Sequence, residues 1–119
     1  MYYVRVEADF AAAHFLSHYA GKCERLHGHN YKVRAFARAP ELGPGGMLLD
    51  FGELKGALRA VLEPLDHSLL NDLAAFDGDP SAERIAEYVF KELALRLPKA
   101  PLHAVEVFET ETSMARYEP

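Results

Sequence analysis

Two stretches of the chain place apolar residues at every second position, and two others space them by three and four. From Val4 the even positions read Val4, Val6, Ala8, Phe10, Ala12 and His14, whereas Arg5, Glu7 and Asp9 hold odd ones. Successive strand side chains leave opposite faces, so this pattern predicts a strand with one buried face. His14 arrives on that face at the strand's far end. After a loop containing Gly21 and Cys23, the odd positions His27, His29, Tyr31, Val33, Ala35 and Ala37 repeat the alternation, with Lys32, Arg34 and Arg38 opposite. The two strands can pair antiparallel, through a connection longer than a tight hairpin. Pro40 and the Gly43-Pro44-Gly45-Gly46 cluster then mark a surface loop.

Phe51, Leu54, Leu58, Val61, Leu62 and Leu65 form one face of a helix. Asp50 with Glu53 reads as a capping box at its start, and Pro64 helps to end it. A second helix fits Ser81 to Leu97, with Ile85, Val89, Leu93 and Leu97 on one stripe; Asp79 or Ser81 can cap it, and Pro98 stops it. Alternation returns at Val105, Val107 and Glu109, and a short strand is expected from Ser113 to Tyr117. The predicted order is β-β-α-α-β-β, an α+β layout with both helices on one face of an antiparallel sheet.

A length of 119 residues suits one domain, 1–119, and half of its residues are hydrophobic. So short a chain buries a limited fraction of its surface, which makes a homo-oligomer a reasonable expectation. A net charge of −5 argues against general nucleic-acid binding while leaving room for a small anionic substrate. No apolar run approaches membrane-spanning length, and MYYVRVEADF begins in strand-like alternation rather than in a signal peptide's apolar segment. A cytoplasmic protein with no membrane partner is expected. The one cysteine rules out an intrachain disulfide.

His27 and His29 stand two apart on a predicted strand, so both imidazoles leave one face. His14, at the inward end of the neighbouring strand, is the natural third member. Three protein ligands leave a position open, the arrangement of a catalytic rather than a structural zinc. A single inward-facing histidine is more often a hydrogen-bonded core residue. Two or three together without metal or partners would each carry a desolvation cost. His18 and His103 match no usable spacing.

Cys23 lies four residues before His27, beside Lys22, where a nearby cation can stabilise a thiolate. A lone cysteine is also commonly an inert small hydrophobe. His67 follows Asp66, and an aspartate can orient an imidazole for acid–base work, although such a pair at a helix end is commonly polar cover. Glu109 puts a carboxylate where an apolar residue belongs. A ligand with two adjacent N–H donors would compensate it; a local salt bridge, or a strand that ends before Glu109, is the plainer alternative.

Phe10-Ala11-Ala12-Ala13-His14 and the stretch from Lys22-Cys23-Glu24-Arg25-Leu26-His27 to Gly28-His29-Asn30-Tyr31 carry a resemblance. So do Gly46 to Gly52, Leu65-Asp66-His67-Ser68-Leu69-Leu70-Asn71, Pro80-Ser81-Ala82-Glu83 and Glu109-Thr110. In this order, over nearly the whole chain, they are similar to the family of 6-pyruvoyl-tetrahydropterin and 6-carboxytetrahydropterin synthases. The resemblance implies the tunnelling fold (T-fold), in which subunits join their sheets into a barrel, usually a trimer stacked into a hexamer, with active sites between subunits. It implies zinc on His14, His27 and His29. It makes Cys23 the catalytic thiolate and His67, with Asp66, its acid–base partner. Glu109 becomes the anchor of a pterin's amino-pyrimidinone edge. The implied substrate is 7,8-dihydroneopterin triphosphate.

The family has two branches. One eliminates triphosphate and keeps the three-carbon side chain. The other also cleaves a carbon–carbon bond, releasing acetaldehyde on the way to queuosine-type 7-deazapurines. The compact CERLHGH spacing resembles the bacterial carboxy branch, so a zinc-dependent lyase making 6-carboxytetrahydropterin is the expectation. The pyruvoyl reaction is the alternative, and a non-catalytic pterin- or metal-binding subunit stands behind it. A folate-pathway aldolase is disfavoured by the retained Cys23, which such variants tend to replace with glutamate. Ser81 and Arg84 depart from the family's common threonine and asparagine. Lys22, Arg25 and Lys55 are candidate phosphate contacts, though surface cations are usually just solvated.

Overall fold

A computed structural model describes residues 1–16 and 25–119 of the chain. Cys23, Lys22 and His18 lie outside the described residues. The alternating stretches form β1, Tyr2–His14, and β2, His27–Ala39, each 13 residues long. They pair antiparallel from Tyr2 opposite Ala39 to His14 opposite His27. Their inward faces are the expected ones: Val6, Phe10, Ala12 and His14 on β1 and Tyr31, Val33, Ala35 and Ala37 on β2 are buried.

Helix α1, Phe51–Leu62, and helix α2, Ala82–Arg96, follow the three-and-four spacings closely. Each has a side-chain cap. Asp50 accepts from the Gly52 amide, and Ser81 accepts from the Arg84 amide. The Asp50 cap thus takes the second amide of the helix, where a capping box would take the third, that of Glu53. Leu54, Leu58, Val61 and Leu62 are buried as expected, but Phe51 remains 60% exposed. The first member of the stripe therefore lies outside the buried face of the helix, which begins at Leu54.

One element departs from the predicted order. Ser68–Leu69 forms a short strand, β3, parallel to β1 at Ala12 and Ala13. With β4, Leu102–Thr110, and β5, Ser113–Tyr117, the sheet order is β3-β1-β2-β4-β5. A two-residue strand is too short to show alternation, so periodicity could not reveal it. Both helices pack on the same face. Their buried residues join Phe10, Tyr31, Val33, Val105 and Val107 in one core. A hydrophobic sheet face covered in this way is what makes so short a chain a folded unit, since apolar burial contributes about 25 cal/mol per Å². At one end the buried face runs out of aliphatic residues and ends in histidines.

Candidate metal centre and catalytic residues

Register brings the three histidines together. His14 and His27 face each other as the last pair of β1 and β2, and His29 lies two residues further along β2 on the same face. Their ligand nitrogens all lie within 4.8 Å of one another. Zinc bonds to imidazole of about 2.0–2.1 Å in a tetrahedral sphere require ligand nitrogens roughly 3.3 Å apart, so small movements would suffice.

The surrounding hydrogen bonds decide which nitrogens are available. His14 Nδ1 is 3.0 Å from the Pro80 carbonyl, and His27 Nδ1 is 2.6 Å from the Arg25 carbonyl. A carbonyl can only accept, so each Nδ1 carries the proton and donates it. In the neutral rings both Nε2 atoms are then bare lone pairs, and they face each other at 2.9 Å. Such a contact needs a proton or a cation between them. His29 Nε2 is buried with no hydrogen-bond partner among the described residues. Burial holds the His29 imidazole below its ordinary range; the charge of Glu109 opposes this, and His14 and His27 reinforce it. A neutral ring is the ligand form. Backbone carbonyls that lock the tautomer are the usual outer support of metal-bound histidines. The donor set, its tautomers and the orphaned Nε2 therefore fit a metal ion.

Glu109 completes this end of β4. Lys32 pairs with Phe108, so the next residue reaches the histidine end of the sheet. Its carboxylate lies 3.9 Å from His14 Nε2 and 3.8 Å from His29 Nε2 and is 30% exposed. Strand β4 continues through Glu109, whose carboxylate has the imidazoles of His14 and His29 within 4 Å and borders a shallow depression of about 340 Å³ lined by Ala82, Glu83, Ser113 and Met114.

Asp66 and His67 form the expected pair, with His67 Nδ1 2.9 Å from an Asp66 oxygen. The other Asp66 oxygen accepts from the Ala11 amide, and the His67 amide donates to the Ala11 carbonyl. Ala11's amide and carbonyl thus hold the pair at the edge of β1. The Ala11 hydrogen bond and, after it, His67 keep the Asp66 carboxyl below the usual carboxylate range. His67 has φ of 55°, a left-handed conformation that is sparsely populated by non-glycine residues and clusters at functional sites. Its side chain is 83% exposed, and the polar contacts of the pair do not reach the three histidines among the described residues. His67 and His29 do line a common open depression of about 470 Å³ with Ala11, Gly28 and Asn30.

Sequence reasoning did not find the Pro80 and Arg25 carbonyls, because a backbone group leaves no signature in residue type. The alternation marks Tyr31 only as an inward strand residue. It is fully buried, stacks on Phe10 with centroids 4.7 Å apart, and lies edge-on to His14 and His29.

Sheet, paired helices and three-imidazole centre define a T-fold protein whose three histidines could hold a metal ion. The chain belongs to the 6-pyruvoyl tetrahydropterin synthase family, whose model matches residues 3–119. It is similar to the 6-carboxy-5,6,7,8-tetrahydropterin synthase of Synechocystis, with 40% identity across 98% of this chain and 93% of that protein. It is 36% identical to the human 6-pyruvoyl tetrahydrobiopterin synthase, across 82% of this chain and 70% of the human one. Among solved structures, the 6-pyruvoyl tetrahydropterin synthase of Caenorhabditis elegans superposes with a TM-score of 0.86 at 30% identity, covering 100% of this chain and 97% of that one.

Proposed function

We propose that the protein converts 7,8-dihydroneopterin triphosphate and water to 6-carboxy-5,6,7,8-tetrahydropterin, acetaldehyde and triphosphate, as a zinc-dependent lyase of 7-deazapurine (queuosine) biosynthesis. The convergence of three imidazoles on one point, two of them with their tautomers locked by backbone carbonyls, carries the metal part of this reading. The near full-length 40% identity to a protein named 6-carboxytetrahydropterin synthase supports the carboxy product, as does the short Cys23-to-His27 spacing.

His14, His27 and His29 would hold the zinc ion, which when bound supplies Lewis-acid polarisation of substrate oxygens. Glu109 would accept the paired N–H donors of the pterin's amino-pyrimidinone edge and so orient the three-carbon side chain. Cys23 Sγ, as a thiolate, would take a proton from that side chain. His67 would return one through Nε2, since Nδ1 is committed to Asp66. With His67 exposed and making no polar contact with the three histidines among the described residues, a homo-oligomer, trimer or hexamer, whose subunits share each site is part of the proposal. A cytoplasmic location accompanies it; no helix of the described residues is long and apolar enough to cross a membrane.

The test is incubation of zinc-loaded protein with 7,8-dihydroneopterin triphosphate, with products identified by mass spectrometry and acetaldehyde trapped. 6-Carboxytetrahydropterin with acetaldehyde is the expected result. 6-Pyruvoyl-tetrahydropterin without acetaldehyde would replace the product, in line with the likeness to the human synthase. No turnover from metallated protein would leave a pterin- or metal-binding subunit.

A further inference from the structure

Asn71 sits in the turn after β3, with no ionisable group of its own and no place in the chemistry above. Its side-chain amide is nevertheless fully engaged. Oδ1 accepts from the Phe15 amide at 2.9 Å. Nδ2 donates to the Phe15 carbonyl at 2.8 Å and to the Gly78 carbonyl at 3.0 Å. The opposite orientation of the amide would set an oxygen against two carbonyl oxygens, so the assignment is unambiguous.

These three bonds join two places that matter to one ligand. Phe15 immediately follows His14, at the point where β1 ends. Gly78 precedes Pro80 by two residues, and Pro80's carbonyl holds His14 Nδ1. The loop between is sharply bent, with Asp77 and Gly78 both at positive φ, of 49° and 82°. Asn71 therefore ties the backbone beside His14 to the loop that supplies His14's carbonyl partner. The tie keeps the strand end and the loop in register, and with it the bond that presents Nε2.

We infer that Asn71 is a positioning residue of the metal centre, setting metal affinity through the Pro80 carbonyl and His14. The inference rests on the three-histidine reading. Breaking outer support of a ligating histidine typically weakens metal binding by about 10–100-fold.

Co²⁺ is titrated into metal-free protein against a competing chelator, for the parent chain, Asn71→Asp, Asn71→Ala and Arg84→Ala. Asn71→Asp keeps the acceptor for Phe15 and loses both donors. Arg84 Nη1 donates to the Phe76 carbonyl at 2.8 Å, so Arg84→Ala loosens the same loop without touching the tie. The expected result is a loss of at least tenfold in Co²⁺ affinity for the Asn71 variants and a change within about twofold for Arg84→Ala. Parent-like affinity in a folded Asn71 variant overturns the inference, as does an equal loss in Arg84→Ala. In the unsubstituted protein, Co²⁺ should slow exchange of the Asn71 side-chain amide protons. This measurement holds even if the variants fail to fold, and unchanged exchange also overturns the inference. A parent protein that binds no Co²⁺ would instead overturn the metal reading itself.

Discussion

Tyr31 buries a phenolic oxygen that has no hydrogen-bond partner among the described residues. Burial and then the nearby Glu109 charge push its ionisation up, out of the working range, so it acts as a neutral hydroxyl. An unsatisfied buried hydroxyl costs stability that its removal returns. Tyr31→Phe is therefore expected to leave the metal-free protein unchanged or up to about 1 kcal/mol more stable in urea unfolding. A loss larger than that would mean the hydroxyl is donated to a group such as an ordered water. Asp66 gives a second expectation at this scale. Its folded-state pKa is depressed, so its contribution is present above the unfolded value of about 3.9 and fades as pH falls through the folded value. Thermal unfolding from about pH 5 down to about pH 2 should show the parent losing stability relative to Asp66→Asn, which has no charge to lose. Equal pH profiles would refute the linkage.

The two helices are specified mainly by what their stripes bury, with caps that trim the ends. Asp50 satisfies one of the first free amides of α1 far from the histidine centre. Asp50→Ala should cost about 1 kcal/mol in denaturant unfolding while Co²⁺ affinity stays at the parent value. A change in metal affinity there would show that α1 is coupled to the site. β3 belongs to a different class of element. Its residues are held by the exposed edge of β1 rather than by a pattern of their own, and its function is to deliver His67 beside Ala11.

For the whole molecule, the sheet of the described residues ends on one side in β1, which β3 covers only at Ala12 and Ala13, and on the other in the five-residue β5. Exposed edges invite pairing with another chain. Sedimentation equilibrium should give a trimer or hexamer. Inactive Cys23→Ala and His67→Ala proteins, mixed and reassembled, should recover part of the parent turnover, because a mixed assembly contains interfaces carrying both intact residues. A monomer, or a mixture with no recovered turnover, would rule out sites shared between subunits.

Alternation and helical spacing are local properties, so both long strands, both helices and their inward faces were legible in the residues themselves. The cluster of three histidines that could hold a metal ion was legible for the same reason: His27 and His29 obey the two-residue period of a strand, and His14 obeys that of its neighbour. Phe51 shows the limit, since the helical stripe includes it while the fold leaves it largely exposed. What joined residues far apart was decided only by the fold. The Pro80 carbonyl at His14 Nδ1, the Asn71 amide across Phe15 and Gly78, and the Ala11 grip on Asp66 and His67 each link positions more than 50 residues apart, except for the short step from Asn71 to Gly78. Such contacts involve backbone groups that every residue carries, and only their placement in space gives them meaning.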